Sequence, residues 1–456
     1  MKLKIDDMQS FTTDNLVVVI DLGTSKVRGI VGRKDENGHV EIIAYEGLTS
    51  KGVKRGSICN LAEAAFCIKE ILAKLQNKVN FIFNEGHSEE ERKAYEINGV
   101  YVGLNGQTIK TMNSRVPRNL GDVEVTEEVV KTLHAENNKL KIENGEILEI
   151  VAQEYLVDDC DEVNPVGCIC TRIEGRYKII AGRPSLKSNL VKCFDKVNEV
   201  IENNGGCKIE ILGVFLSPIA AASAVLSNEE KELGCAMIDF GAGTTSTAVY
   251  YKNVLRHVSV VPFGSDVITK DIMDLKVLEN VAEMLKRKFG SAMEELVEDF
   301  HISTPPPISG KEGKTVSNKF LAGIIEARIE EILDYVCYQI EKSEHYCHID
   351  EIVITGGGAR LKNLVEKLKL RTGFDVRIGK PNQKISSNMD VSYLEVECAQ
   401  LIGLLIHAEK ACVREKAPFS KEEQSEQETP VKKEKKKIKW SNVVGLFGDI
   451  FEDSKI

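Results

Sequence analysis

Two aspartates each end a short apolar strand and precede a turn that contains glycine. Asp21 follows the apolar run Leu16–Ile20, and Asp239 follows a similar run that starts at Cys235. A carboxylate in this place suits a hydrated Mg²⁺, which prefers one or two carboxylates together with phosphate oxygens. Because glycine lets backbone N–H groups come close to a ligand, the turns can hold the phosphates themselves. We therefore expect two halves of one site, facing each other across a cleft.

The two turns also carry hydroxyl groups and a cation. Each turn is followed by a second apolar run, so each predicts a β-hairpin. One such turn alone is equally typical of an ordinary hairpin, and its repetition is what favours a ligand site. The expected ligand-binding residues are Gly23, Thr24, Ser25 and Lys26 in the first turn, and Gly241, Gly243, Thr244 and Thr245 in the second.

A third glycine-rich stretch lies within Ile352–Leu364, between a predicted strand and a predicted helix. Gly356, Gly357 and Gly358 permit close approach to a base or sugar, and a helix N-terminus favours anionic groups. The three motifs, in this order, resemble the phosphate-1, phosphate-2 and adenosine motifs of the actin-like ATPase superfamily. This resemblance implies an α/β, actin-like (ribonuclease H-like) fold with two lobes and a nucleotide cleft. It also implies ATP and Mg²⁺ as cofactors.

A small α+β unit is predicted between the first two motifs. Asn105-Gly106 predicts a hairpin of strands 100–104 and 108–112, and Tyr177–Pro184 predicts a strand that returns to the first lobe. The position of the unit and its residues Asn164–Gly167 resemble the FtsA family of bacterial cell division proteins, in which subdomain 1C occupies this place.

The FtsA resemblance implies subdomains that alternate along the chain. We expect subdomain 1A at 16–97 and 173–208, 1C at 98–172, 2A at 209–262 and 346–410, 2B at 263–345, a disordered linker at 411–437 and an amphipathic membrane-targeting helix at 438–456. In the first lobe, Asn60 is expected to cap a helix that follows three strands.

The segment Val281–Gly290 resembles the family segment that contacts ribose and adenine. Its pattern, A-E-x-x-K-x-x-x-G, assigns Glu283 and Lys286 to the nucleotide site. The two residues are three positions apart on one helix face, so both can reach one ligand. An ordinary surface ion pair is the alternative.

Ser217 lies where related chaperones carry a glutamate that positions the attacking water. A hydroxyl is not a comparable general base, so we expect weak or no ATPase activity. Ala242 and Ser246 also depart from the usual phosphate-2 pattern, which has Gly and Asp there. No catalytic residue is assigned beyond the magnesium-associated aspartates.

The predicted helix Ile324–Lys342 resembles the I-I-E-x-R segment of subdomain 2B, the region that receives the C-terminal tail of the division protein FtsZ. This resemblance assigns Arg328 as a contact for that acidic tail, because an arginine fork suits carboxylates. A surface ion pair between Arg328 and Glu331 is an equally open interpretation.

The last forty residues divide into a charged part and an amphipathic part. Residues 414–437 are rich in Glu, Lys, Gln and Ser, and they bury too little apolar surface to become ordered. The lysines at the end of this part and the apolar stripe after it predict reversible binding to anionic lipid. Docking of the helix on the body or on a partner is the alternative. The stripe consists of Trp440, Val443, Val444, Phe447, Ile450 and Phe451.

Composition limits the possible classes of protein. A chain of 456 residues is too long for one hydrophobic core, and its net charge of −10 argues against nucleic-acid binding. The N-terminal residues lack the apolar region of a signal peptide, and no apolar run reaches the roughly 18 residues of a membrane span. The 12 cysteines form no disulfide or zinc pattern, which favours reduced thiols in the cytosol.

The FtsA resemblance implies an ATP-binding, polymerising adaptor that tethers FtsZ filaments to the membrane at the division septum. Its partners would be the FtsZ tail, other copies of itself, membrane lipids and later division proteins, and it would be a peripheral protein on the cytoplasmic face of the membrane. One alternative is a small-molecule kinase of the same fold, although a third carboxylate is missing from the connecting helix. Another is an actin-like adaptor similar to the pilus-assembly protein PilM, for which the terminal helix is not expected.

Overall fold

The structure is a computed structural model that describes residues 15–34, 40–306, 313–381, 385–387 and 395–416. The strands are β1 (Leu16–Leu22), β2 (Lys26–Lys34), β3 (Val40–Thr49), β4 (Val53–Lys54), β5 (Ser57–Ile58), β6 (Tyr95–Ile97), β7 (Gly99–Leu104), β8 (Lys110–Glu124), β9 (Glu146–Val157), β10 (Cys160–Glu162), β11 (Ile169–Gly182), β12 (Glu210–Leu216), β13 (Cys235–Phe240), β14 (Thr245–Tyr251), β15 (Val254–Val261), β16 (His301–Ser303), β17 (Thr315–Ser317), β18 (Glu351–Thr355), β19 (Asp375–Ile378), β20 (Ile385–Ser387) and β21 (Val413–Glu415). The helices are α1 (Leu61–Phe83), α2 (Glu127–Glu136), α3 (Ser185–Asn203), α4 (Ser217–Val225), α5 (Asn228–Leu233), α6 (Ser265–Met273), α7 (Glu279–Phe289), α8 (Asn318–Glu341), α9 (Leu364–Thr372) and α10 (Ala399–His407).

The first lobe is built on a sheet with the strand order β12-β7-β1-β2-β3-β20. Strand β1 is apolar and buried along its whole length, and it forms the predicted antiparallel hairpin with β2, in which Asp21 lies opposite Arg28. Helix α1 packs on β2 and β3. It begins where the sequence predicts, because the Asn60 side chain accepts hydrogen bonds from the backbone N–H groups of Ala62 and Glu63.

The second lobe repeats this arrangement with the strand order β15-β14-β13-β18-β19. Strands β13 and β14 form the second predicted hairpin, and β18 runs parallel to β13. Helix α8 packs on β14 and β15, and its apolar face joins a core that is separate from the core of the first lobe. The fold is therefore a two-lobed α/β fold of the actin type, with an inserted unit described next.

The inserted unit contributes the strands β10-β9-β11-β8 and the helix α2. The predicted hairpin around Asn105-Gly106 is wrong, because β7 pairs in parallel with β1 and β12, and β8 starts only at Lys110. Residues 99–104 thus belong to the first lobe rather than to subdomain 1C. The predicted return of Tyr177–Pro184 to the first lobe is also wrong, since β11 stays paired with β8 and β9 through Gly182.

The inserted unit also contacts the second lobe, which the sequence did not predict. Ser259 of β15 pairs with Lys110 of β8, and the Thr111 hydroxyl donates to the Val258 carbonyl and accepts from the Val258 N–H. Beside this contact, the Arg256 side chain is 2% exposed. We call these contacts between β8, β9 and β15 the insert junction.

Arg256 makes three side-chain hydrogen bonds at the insert junction and the adjoining end of β14. Its guanidinium donates to the Gln153 amide oxygen at 3.1 Å, to the Glu154 carboxylate at 2.5 Å and to the Tyr251 carbonyl at 3.1 Å. A buried arginine is tolerated only when its charge and its N–H groups are both matched. The insert junction is therefore a specific contact.

The two lobes are joined where α4 crosses α10. The facing residues are small, and a Cβ atom added to Gly403 would lie 1.7 Å from the Ala220 carbonyl oxygen. Ala220, Ala221 and Ala224 are fully buried at this crossing. The helix backbones therefore approach as closely as side-chain size allows.

The chain leaves the described body later than the sequence predicts. Residues 413–415, which the sequence places in the linker, form β21 and pair with β6. Val413 and Cys412 are both buried there, and two apolar residues before a charged run were too short a signal to predict a strand. The rest of the predicted linker and the apolar stripe from Trp440 to Phe451 lie outside the described residues.

Replacement of Gly403 by alanine should destabilise the fold. The added methyl group would overlap the Ala220 carbonyl, and overpacking of this kind costs about 1–3 kcal/mol despite the better helix propensity of alanine. Chemical denaturation of the purified chain measures the loss.

Gly323→Ala is the matched control. Gly323 also lies within a helix, but the nearest atom to an added Cβ is the mobile Glu294 carboxylate at 2.8 Å. This variant should be neutral or slightly more stable. Equal stability of the two variants would contradict the tight crossing.

Candidate functional site

A cavity of about 340 Å³ lies between the turns of the two hairpins. This volume is within the range of small-ligand sites. All but one of the ligand-binding residues predicted from the sequence line it. Those that do are Asp21, Gly23, Thr24, Ser25, Lys26, Asp239, Gly241, Gly243, Thr244, Glu283, Lys286, Gly356, Gly357 and Gly358.

Thr245 is the exception. Its side chain is fully buried, and its hydroxyl donates to the Phe263 carbonyl at 2.8 Å. Thr245 therefore does not line the cavity, because it is the first residue of β14 and its side chain bonds to the segment that follows β15.

The glycines of the two turns are needed for space rather than for an unusual backbone angle. A Cβ on Gly23 would lie 2.6 Å from the Lys26 carbonyl oxygen, and one on Gly243 would lie 2.5 Å from the Thr24 hydroxyl. The second contact joins the two hairpins directly. Thr24 also accepts a hydrogen bond from the Gly56 N–H at 3.2 Å. The turns are thus narrow and closely packed, and a glycine backbone lets phosphate oxygens come close to them.

Asp21 is almost completely buried at the bottom of the cavity. Burial raises the pKa of its carboxyl from 3.8 to about 6; the Arg28 guanidinium opposes this rise and Asp239 adds to it. The nearest Arg28 nitrogen, Nη1, lies 3.9 Å from the Asp21 carboxylate. A buried acid with a raised pKa favours a neighbouring cation, and a divalent ion supplies more charge than one arginine.

Asp239 is buried in the equivalent place on the second hairpin. Burial raises its pKa, while a hydrogen bond from the Gln400 amide and the charge of Arg28 oppose the rise. The other carboxylate oxygen of Asp239 faces Gly356, where an added Cβ would lie 2.3 Å away. Gly356 has a φ of +84°, which glycine adopts without strain.

Glu283 and Lys286 do form the ion pair that was one interpretation of their spacing, with 2.6 Å between Glu283 Oε2 and Lys286 Nζ. Lys286 also donates to the Thr269 hydroxyl and to the Ser265 carbonyl. Burial alone would raise the pKa of Glu283, but hydrogen bonds from Lys286 and Thr269 lower it. Both side chains line the cavity, so the ion pair and the ligand role are compatible.

The third motif differs from its prediction in one respect. The glycines are followed by a single 3₁₀ turn, Gly357–Arg360, and the α-helix begins only at Leu364. The predicted helix N-terminus beside the glycines is therefore wrong. The glycines are close to the second hairpin instead, since a Cβ on Gly358 would lie 2.0 Å from the Phe240 ring.

Ser217 is buried behind the cavity. A Cβ on Gly103 would lie 2.8 Å from the Ser217 hydroxyl and 3.9 Å from an Asp21 carboxylate oxygen, so the three residues are close neighbours. Among the described residues, the Ser217 hydroxyl has no hydrogen-bond partner.

Sequence reasoning missed seven cavity residues with charged or amide side chains, which are Arg28, Asn105, Arg287, Arg360, Lys362, Glu397 and Gln400. Arg28 lies on β2, Glu397 lies in the turn before α10, and Gln400 lies in the first turn of α10. For Arg28, its position seven residues after Asp21 in a predicted hairpin was an available signal. No local pattern connects Glu397 and Gln400 to the two aspartates.

Arg328 lies on α8 and does not line the cavity. It pairs with Glu331, as one interpretation expected, and its Nε and Nη2 also reach the two Asp271 carboxylate oxygens at 2.5 and 3.0 Å. Its side chain remains 28% exposed.

The donor set of the cavity fits Mg²⁺ bound together with phosphate. Asp21 and Asp239 supply one carboxylate each, and within the described ranges no group of three or more Asp, Glu, His or Cys residues forms a metal site. Mg²⁺ is usually bound by one or two carboxylates plus substrate phosphates rather than by a protein cage. The buried Arg28 Nε–H, which has no partner among the described residues, is available to donate a hydrogen bond to a phosphate oxygen.

Two family models match the chain. The model described as cell division protein FtsA matches residues 236–403, and the model described as the SHS2 domain inserted in FTSA matches residues 106–181. The second match agrees with the inserted strands β8 to β11 and includes none of β7.

Individual proteins of known name give the same result. The cell division protein FtsA of Neisseria meningitidis serogroup B is 28% identical over 414 residues, which cover 88% of this chain and 94% of that protein. The protein of the same name from Bacillus subtilis is 29% identical over 374 residues, which cover 81% and 79%. Among solved structures, the PilM–PilN type IV pilus biogenesis complex matches with a TM-score of 0.56 and 13% identity over 86% of this chain and 98% of that one. At this identity the match shows the actin-like fold alone.

Replacement of Asp21 by asparagine should stabilise the metal-free protein above pH 6. The pKa of Asp21 in the folded state lies above its ordinary value. The free energy of unfolding therefore falls as pH rises from about 4 through about 6. Asparagine mimics the neutral acid and avoids this loss, which corresponds to roughly 1–3 kcal/mol. Denaturation in the presence of a chelator at pH 4 and at pH 7.5 measures the effect.

Asp195→Asn on the exposed face of α3 is the control, and it should change stability by less than about 0.5 kcal/mol at either pH. Lower stability of Asp21→Asn than of the wild type at pH 7.5 would show that the Asp21–Arg28 attraction outweighs the burial of the charge.

Proposed function

Because this chain belongs to the FtsA family of cell division proteins, we propose that it is an ATP-binding, polymerising adaptor that tethers FtsZ filaments to the cytoplasmic membrane. It acts at the division septum, on the cytoplasmic face of the membrane, as a peripheral protein. Later division proteins are recruited to the filament that it forms. The remaining subdomain boundaries given above, with 2A and 2B in the second lobe, are part of this proposal, except that residues 210–216 and 385–387 form β12 and β20 in the sheet of the first lobe.

The observation that carries the nucleotide part of the proposal is the meeting of three motifs around one cavity. Residues separated by more than a hundred positions, such as Asp21, Asp239 and Gly357, line the same space of about 340 Å³. A nucleoside triphosphate requires space for its phosphates, carboxylates for its cation and polar contacts for its ribose. The glycine turns, the two aspartates and the Glu283–Lys286 pair supply these parts.

Asp21 and Asp239 would hold the hydrated Mg²⁺, and Lys26 and Arg28 lie close enough to line the phosphate side. When bound, the ion neutralises the charge of the phosphate oxygens. The position of Ser217 supports slow or absent hydrolysis, because a hydroxyl does not take a proton from water near neutral pH. In this proposal ATP acts mainly as a ligand that favours the closed, polymer-competent form of the two lobes.

The membrane part of the proposal depends on the sequence of the tail. Among the described helices, none is both long and apolar enough to cross a bilayer. The stripe Trp440–Phe451 and the lysines before it would bind the lipid surface reversibly, and one such helix binds weakly. A polymer presents many copies of the helix at once, which raises the overall affinity without any new contact.

A chain that ends at Lys437 should lose membrane binding while it keeps the polybasic run. We expect the full chain to sediment with liposomes of anionic lipid, and to sediment more with ATP and Mg²⁺, because assembly adds avidity. The truncated chain should remain in the supernatant under both conditions. Liposome co-sedimentation at physiological salt measures this.

Liposomes of zwitterionic lipid serve as the control for the electrostatic part. Sedimentation of the truncated chain would show that the membrane contact lies outside the terminal helix. Absence of sedimentation for both chains would contradict the tether altogether.

Arg328→Gln should weaken binding of a synthetic peptide with the acidic C-terminal sequence of FtsZ. Loss of one charge-assisted hydrogen bond corresponds to about tenfold in the dissociation constant. Fluorescence anisotropy of the labelled peptide measures the change.

Arg371→Gln is the matched control for this experiment. Arg371 pairs with Asp334 of α8, as Arg328 pairs with Asp271, and its side chain is 41% exposed, compared with 28% for Arg328. If both variants weaken binding equally, the peptide responds to overall charge, and Arg328 is not a specific contact.

A further inference from the structure

The start of α10 contacts both buried aspartates of the cavity. Gln400 Nε2 donates a hydrogen bond to Asp239 Oδ2. Glu397 reaches Asp21 through Arg28: its carbonyl oxygen accepts from Arg28 Nη1 at 3.0 Å, and its carboxylate accepts from Arg28 Nη2 at 3.2 Å. Glu397 and Gln400 are three residues apart, so they project from one side of the chain as it enters α10.

The turn before α10, which contains Val396 and Glu397, is bonded to the second lobe while it contacts the first lobe. The Val396 carbonyl accepts from the Thr355 hydroxyl and from the Gly356 N–H, both at 3.1 Å. Arg360 of the second lobe pairs with Glu397 at 3.4 Å. The Glu397 carboxylate therefore lies between one arginine from each lobe.

The contacts leave defined atoms available to a ligand. Gln400 donates to Oδ2 of Asp239, and this hydrogen bond favours one orientation of the carboxylate. Arg28 keeps a buried Nε without a partner among the described residues, and its contact with Asp21 is long, at 3.9 Å. Arg28 is thus held mainly by Glu397, and Asp21 remains accessible to a cation.

We propose that Gln400 and Glu397 are positioning residues for the Mg²⁺–nucleotide site: Gln400 orients Asp239, and Glu397 holds Arg28 back from Asp21. This inference rests on the proposed nucleotide site. Partners that orient metal-binding carboxylates commonly change metal affinity when they are removed, although they do not touch the metal.

The test compares nucleotide affinity with and without the metal. The probe is ATP that carries a methylanthraniloyl fluorophore on the ribose, titrated into the full chain either with Mg²⁺ or with a chelator. In Gln400→Met and in Glu397→Gln, we expect the gain in affinity that Mg²⁺ provides to fall by about tenfold. The affinity measured in chelator should stay within about twofold of wild type, since neither residue is assigned to the nucleotide itself.

Glu395→Gln is the matched control. Glu395 pairs with the same Arg360 and lies two residues from Glu397, but no contact joins it to Arg28. This variant should keep the full Mg²⁺ effect. Thermal unfolding in chelator checks that each variant is folded, and Glu397, at 26% exposure, tolerates the change even if Gln400→Met does not.

Each outcome decides between the two proposals. An unchanged Mg²⁺ effect in both variants, with wild type showing a clear one, overturns the positioning role and leaves the nucleotide site standing. An equal loss of affinity with and without Mg²⁺ also overturns it, because it indicates a direct nucleotide contact or a general distortion. If the wild type binds no nucleotide under either condition, the proposed nucleotide function fails as well.

Discussion

Two carboxylates are buried at one cleft, and much of the site is arranged around the cost of taking their charges out of water. Asp21 and Asp239 lie at equivalent positions of the two hairpins, with their negative charges largely out of contact with water. The Arg28 guanidinium and the Gln400 amide offset part of the free-energy cost of burying these charges. Such partial compensation costs stability in the empty protein and leaves the site prepared for a cation.

The glycines around the aspartates follow from the same constraint. Since the carboxylates must meet a ligand inside a narrow cleft, the backbone of each turn has to come close to the neighbouring elements. Gly243 is in contact with Thr24 of the opposite hairpin, and Gly358 is in contact with Phe240. The motif residues therefore serve two purposes, because they leave room for phosphate and they bring the two lobes together.

The local parts of the structure were predictable from the sequence, and the long-range contacts were not. Strand-turn-strand patterns around Asp21 and Asp239 gave both hairpins correctly, because register in a hairpin is determined by adjacent residues. The hairpin predicted at Asn105-Gly106 was wrong, because β7 pairs with β1 and β12, which are distant in sequence. The apolar residues of β7 fit a hairpin partner as well as they fit these strands. Gln400 lies 161 positions from Asp239, and only the folded chain shows their contact.

The insert junction has a mechanical consequence for the two lobes. The unit that carries it is covalently part of the first lobe, yet Thr111 and Arg256 fasten it to the second. The crossing of α4 and α10 at Gly403 fastens the lobes at another place. Any relative movement of the lobes would therefore strain contacts at both of these places, in addition to the contact of Gly243 with Thr24 at the cavity.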